Sequence, residues 1–140
     1  MNAYVDSSVL LRKILRQSKS LREWRSIDLG VASALVEVEC LRTLDRLRLA
    51  GELDDRQVAV RRATVYRMLD AMEIVSLTSA VIQTASQPLP TQLRTLDALH
   101  LATALLWSKT RGEPITMATH DHRLGLAAQA HGLAVVGLTA

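Results

Sequence analysis

The 140-residue sequence contains no phenylalanine, and two tryptophans and two tyrosines are its only aromatic side chains of that class. Modules that hold single-stranded RNA by stacking bases on sheet aromatics, of the RRM or OB kind, need more rings than this and are excluded. Cys40 is the only cysteine. It has no partner for an internal disulfide, which agrees with a reducing compartment. No apolar run reaches the roughly 18 residues of a membrane-crossing helix. The longest apolar stretch, Leu99 to Trp107, is interrupted by His100 and Thr103. The opening residues Met1 to Asp6 have neither the basic start nor the apolar core of an export signal. A cytoplasmic protein without membrane contact is therefore expected. Repeats, low-complexity tracts and linkers are also missing, and two of the three prolines fall together in Gln87 to Thr91. With 49% hydrophobic residues, a single domain over residues 1–140 with one buried core is expected.

The charge that is present is weighted towards arginine: 17 basic residues against 14 acidic give a net charge of +3. A guanidinium donates two parallel hydrogen bonds to an oxyanion, and a positive surface concentrates a polyanion. Short β-prone runs read at Ala3–Asp6, Leu29–Ala32, Met72–Ser76, Ile115–Ala118 and Ala134–Val136. Between them lie segments with apolar residues at helical spacing: Val9–Arg16, Leu21–Trp24, Ala34–Leu49, Asp54–Leu69, Thr78–Ala85, Leu93–Ser108 and Arg123–Ala130. Ser33 is placed to cap the helix that begins at Ala34, while Gly51, Gly112 and Gly132 stand where helices should stop. This alternation predicts an α/β fold, a central mostly parallel five-stranded sheet flanked by helices on both faces. In such sheets ligands gather at the carboxyl ends of the strands.

Nine of the acidic residues, Asp54, Glu73 and Glu113 among them, lie beside arginines or at element ends, where solvated faces and caps account for them. Five do not fit so simply. Asp6 ends the apolar run Ala3-Tyr4-Val5 and precedes Ser7-Ser8, so it serves as a helix cap or as a carboxylate at the strand's carboxyl edge. Asp97 opens the stretch Leu96 to Leu106, which is apolar almost all round and reads as a buried helix. A carboxylate there needs a compensating cation, an ion pair with Arg94, or a raised pKa. Asp121 follows the fourth strand and Thr119-His120, and again both a cap and a site carboxylate are open. In the second helix Glu37 and Glu39 compete. Periodicity favours Glu37, nearer the stripe of Leu41 and Leu44, but a helical wheel is least dependable in a first turn.

Four segments in order, Tyr4-Val5-Asp6-Ser7-Ser8, Ser33 to Arg42, Leu93 to Ala104 and Ala118-Thr119-His120-Asp121, resemble the PIN-domain nucleases and specifically the VapC toxins. The resemblance spans essentially the whole chain. In that family the second acid comes six positions after a serine that follows strand two, which selects Glu39 over Glu37. The first acid corresponds to Asp6, the third to Asp97 in the Asp-Ala-Leu-His-Leu-Ala run, and the fourth to Asp121. Glu37 is an added acid, and His120 with His122 flanks the fourth motif where small or basic residues are common.

The resemblance implies a Mg²⁺- or Mn²⁺-dependent endoribonuclease that leaves a 5′-phosphate, with Asp6, Glu39, Asp97 and Asp121 as catalytic residues and metal ligands. Hard oxygen donors suit those ions, and no Cys/His cluster has zinc spacing. Ser8 and Thr119 are placed to hydrogen-bond the carboxylates, His120 and His122 to stay outside the ligand set, and Arg12, Arg42 and Arg123 to grip an RNA backbone. The resemblance also implies a VapB-type antitoxin as partner, and the apolar helix faces suggest a homodimer. A haloacid-dehalogenase-type phosphotransferase would need an aspartate where Ser8 stands. A receiver domain would need an acidic pair before the first helix. A PIN-fold RNA- or protein-binding module without nuclease activity is the remaining alternative.

Overall fold

A computed structural model describes residues 1–138. It runs β1 (Asn2–Val5), α1 (Ser7–Ile14), a 3-10 helix (Arg22–Ser26), β2 (Leu29–Ser33), α2 (Leu35–Leu49), α3 (Asp55–Asp70) and β3 (Glu73–Val75). It continues through α4 (Ser79–Ala85), α5 (Thr95–Arg111), β4 (Thr116–Ala118), α6 (His122–Ala130) and β5 (Ala134–Val136). The strands form one sheet in the order β3-β2-β1-β4-β5, and every neighbouring pair is parallel.

Alternation along the strands sorts the core into two layers. Ala3, Val5, Ala32 and Ala118 face α1, α2 and α3, where Val9, Val36, Leu44 and Val65 are fully buried. Tyr4, Val31 and Met117 face the opposite side and pack against Leu101, Ala104 and Trp107 of α5 and Leu124 of α6. The three-layer α/β fold expected from the sequence is present, with a sheet that is parallel throughout. Among the described residues no helix is long and apolar enough to cross a membrane.

Three local expectations are corrected. The helical segment read at Leu21–Trp24 is a 3-10 helix at Arg22–Ser26. Ser33 is the last residue of β2, so Ala34 holds the cap position without a side-chain bond, although Ser33 Oγ accepts the Leu35 N–H at 3.1 Å. β1 stops at Val5, which releases Asp6 to cap α1. At the other end of the longest helix, Gly112 takes the left-handed conformation, φ 65°, that lets α5 stop.

From β1 the chain steps outward to β2 and β3, then returns through α4 and α5 to β4 on the other side of β1. The order therefore reverses between β1 and β4, and a crevice at their carboxyl ends is where such a sheet binds ligands. Asp6 follows β1 directly, and Asp121 follows β4 by three residues.

Candidate active site

Asp6 is 5% exposed and both of its carboxylate oxygens are engaged. Ser8 Oγ donates to Oδ1 at 2.6 Å, the Val9 N–H to Oδ1 at 3.3 Å, and Thr119 Oγ1 to Oδ2 at 2.6 Å. The two hydroxyls accept in turn: Ser8 Oγ from the His120 N–H and Thr119 Oγ1 from the Asp121 N–H, each at 3.0 Å. The β1–α1 and β4–α6 junctions are thereby laced across the point where the strand order reverses. Asp121 Oδ1 accepts the Arg123 N–H at 2.8 Å and the Leu124 N–H at 3.3 Å, capping α6. Capping and a place at the strand edge, two readings left open by the sequence, are both realised in Asp6 and in Asp121.

Asp97 lies in the first turn of α5. Among the described residues it forms no ion pair, so the Arg94 bridge that spacing allowed is not made. Burial pushes its carboxyl up, the neighbouring Asp121 charge adds to this, and His100 and Arg94 act only partly against it. Burial likewise raises the Asp6 carboxyl, with the Ser8 and Thr119 hydrogen bonds opposing.

On α2 the sequence reading of the stripe is corrected. The buried residues are Val36, Cys40 and Leu44, not a line centred on Leu41 and Leu44. Glu37 is therefore exposed, while Glu39 lies beside the true stripe. Glu39 Oε1 is 2.7 Å from His100 Nε2, and His100 Nδ1 is 2.6 Å from the Tyr4 hydroxyl.

Asp6, Glu39, Asp97 and Asp121 all line one cavity of about 660 Å³, together with Ser8, Arg94 and His100. Four elements far apart in sequence bring these carboxylates to one place. Of the arginines considered for gripping a backbone, Arg12 turns to the Lys19 carbonyl at 3.0 Å, and Arg42 and Arg123 are exposed away from the cavity lining. Arg94, passed over in the sequence, is the cation on the rim. His120 Nδ1 lies 2.8 Å from the Gly137 carbonyl, and His122 is exposed; neither lines the cavity.

The donor set suits a hard divalent cation: carboxylate oxygens, two of them with raised pKa, whose mutual repulsion a cation relieves. Among the described residues no three such side chains stand close enough to hold an ion as they are placed. The donor chemistry fits such an ion, and holding one would require these side chains to stand closer together.

The sequence pattern of the PIN domain matches residues 3–131. Over 136 residues the chain is 34% identical to Ribonuclease VapC46 of Mycobacterium tuberculosis, covering 95% of each protein. It is 36% identical over 142 residues to Ribonuclease VapC35 of the same organism, covering 95% of this chain and 94% of that one. The chain is a PIN-domain protein of the VapC family. Solved structures share the PIN fold at low identity. PAE2754 from Pyrobaculum aerophilum superimposes with a TM-score of 0.64 at 16% identity, over 96% of this chain and 83% of that one. A chain of a toxin-antitoxin complex from Klebsiella pneumoniae gives 0.60 at 14%, over 86% and 87%.

His100, which lines the PIN cavity, and its partner Tyr4 are what the sequence reading missed. Both stood inside the quoted motifs, His100 as a break in an apolar run and Tyr4 as a strand residue, with no role given to either. Their partners are 96 and 61 residues away, so no local pattern marks them.

Proposed function

We propose that this VapC-family protein is a Mg²⁺- or Mn²⁺-dependent endoribonuclease, the toxin of a toxin–antitoxin module, that hydrolyses RNA to leave a 5′-phosphate. The observation that carries the reading is the convergence of Asp6, Glu39, Asp97 and Asp121 on one cavity at the switch point of a parallel sheet. The relatives' names, all ribonucleases, support it. The net charge of +3 supports a polyanionic substrate.

Asp6, Glu39, Asp97 and Asp121 would hold the cation. Bound there, a divalent ion would supply an acidified water and neutralise charge on the phosphate. The chain's own residues prepare the site. Ser8 and Thr119 fix the plane of the Asp6 carboxylate and tie it to the backbone that carries Asp121. Glu39 orients the attacking water, and Arg94 on the rim offers its guanidinium to a non-bridging phosphate oxygen. A VapB-type antitoxin covers the cavity and presents a cation to the carboxylates. Exposed apolar side chains, among them Leu49, Val60 and Leu126, support a homodimer.

The test is cleavage of a mixed tRNA and structured-RNA pool in Mg²⁺, Mn²⁺ or EDTA, comparing the wild type with Asp6→Asn and Asp97→Asn. Metal-dependent cutting that both substitutions abolish, in proteins that remain folded, is the expected result. Equal cutting by the variants would assign the activity elsewhere. One observation favours a second reading, a PIN-fold RNA- or protein-binding module: the absence, among the described residues, of three side chains already gathered to hold an ion. RNA binding without cleavage in either metal would select it.

A further inference from the structure

His100 is 2% exposed on the second turn of α5, three residues beyond Asp97, so both project from the same face of the helix. Its imidazole sits between two other elements. Nδ1 lies 2.6 Å from the hydroxyl of Tyr4 on β1, and Nε2 lies 2.7 Å from Oε1 of Glu39 on α2. The Tyr4 ring stands edge-on to the imidazole, with centroids 5.8 Å apart and an interplanar angle of 67°, which fixes the ring's tilt as well as its ends. Tyr4 is itself 0% exposed and stands two residues before Asp6.

The direction of the bond to Glu39 is fixed by the carboxylate. A carboxylate only accepts, so the imidazole must present Nε2–H to Glu39. The other ring nitrogen closes the second hydrogen bond, with the Tyr4 hydroxyl. Among the described residues Oε2 of Glu39 has no hydrogen-bond partner, whereas Oε1 is held. A surface glutamate on a helix samples many rotamers, and ordering such a side chain costs entropy at the moment of binding. Here that ordering is done in advance by a ring locked at both nitrogens.

We propose that His100, braced by Tyr4, is a positioning residue for Glu39: it holds one carboxylate oxygen so that the other is presented to the cation and the attacking water. The inference rests on the reading of the cavity as a metal-dependent nuclease site and adds to it two residues that touch neither substrate nor metal. A histidine that merely fills the core would leave the cation affinity and the turnover of the folded protein unchanged when replaced. A positioning residue would not.

The full-length protein, stripped with EDTA, is titrated with Mn²⁺ by calorimetry as wild type, His100→Leu, His100→Gln and Tyr4→Phe, and its RNA cleavage is measured as kcat and KM separately. Glutamine places an amide N–H near the Nε2 position and keeps the bond to Glu39. Leucine removes it. His100→Leu is expected to weaken Mn²⁺ binding or lower kcat by roughly 10- to 100-fold, the range found when a residue supporting a metal ligand is lost. KM for RNA should be unchanged. His100→Gln should recover most of that loss, and Tyr4→Phe should lose part of it. If His100→Leu does not fold, as judged by circular dichroism, the comparison of Tyr4→Phe and His100→Gln with the wild type carries the test. Variants that bind Mn²⁺ and turn over like a wild type that does both would overturn the positioning role and leave the nuclease reading intact. A wild type that neither binds Mn²⁺ nor cuts RNA would overturn both.

Discussion

At the scale of single residues, two of the site acids do two jobs. Asp121 caps α6 through Oδ1, which accepts two backbone N–H groups, and also lines the cavity. Asn caps helices about as well as Asp, whereas Ala leaves the first-turn donors unsatisfied. The jobs are therefore separable. Asp121→Asn should melt at or above the wild-type temperature while losing RNA cleavage, because the cap survives and only the charge is removed. Asp121→Ala should lose cleavage and also about 0.5–2 kcal/mol of stability, the usual cost of an absent cap. Thermal melts beside cleavage assays distinguish the two. An Asp121→Asn protein with full activity would make Asp121 a cap alone. The same logic explains why capping and function could not be told apart in the sequence at Asp6 and Asp121. A short polar acceptor between a strand and a helix is what both demand, and only the placement of β1 beside β4 shows that the two caps share one cavity.

At the scale of elements, a cap outside the site gives the control. Asp54 accepts the Gln57 N–H at 2.8 Å, and the Gln57 side chain accepts the Asp54 N–H at 2.9 Å, closing a capping box at the start of α3. Asp54→Ala should cost about 1 kcal/mol in a denaturant melt and leave the rate of RNA cleavage as it is. A drop in rate would mean that α3 communicates with the cavity. Elements were the most legible level of the sequence, since the two-residue alternation of strands and the 3.6-residue spacing of helices are local properties. All five strands lie within a residue of their expected positions, while α5 starts two residues later than expected and runs three further, to its stop at Gly112. Errors arose where the third dimension decides. The α2 wheel pointed to Glu37 because Leu41 looked like core, whereas packing on the sheet buries Val36, Cys40 and Leu44 and turns Glu39 to the cavity. Arg94 and Asp97 have the right spacing for a helical pair, yet α5 begins at the cavity mouth and Arg94 stays on the rim. Glu73, set aside as a solvated acid, joins Arg111 and the Trp107 N–H across β3 and α5. Tyr4, His100 and Glu39 come from three elements, and their contact exists only once the sheet and α5 have closed.

At the scale of the whole molecule, gathering like charges at one edge of the fold opposes folding, and that opposition depends on pH. Burial raises the carboxyls of Asp6 and Asp97 above their unfolded values, and in Asp97 the charge of Asp121 adds to the effect. Between the unfolded and the raised folded values the native state holds more protons than the unfolded chain, so its stability falls as pH rises through that window. The raw melting curve reflects the whole molecule, and the difference between wild type and Asp97→Asn isolates the site. In EDTA, Asp97→Asn should gain on the wild type as pH rises from the acid side through the raised folded value, and then hold a constant advantage. Saturating Mg²⁺ or Mn²⁺ should erase or reverse that advantage, because a cation bound only by the native state stabilises it and takes the place of the protons. Melting temperatures of both proteins across pH, with and without metal, decide the matter. A metal shift of equal size in both would remove Asp97 from the cation site. A difference curve flat with pH in EDTA would mean that the cavity carboxylates do not strain one another, and that the fold holds its acids together without needing a cation to offset their repulsion.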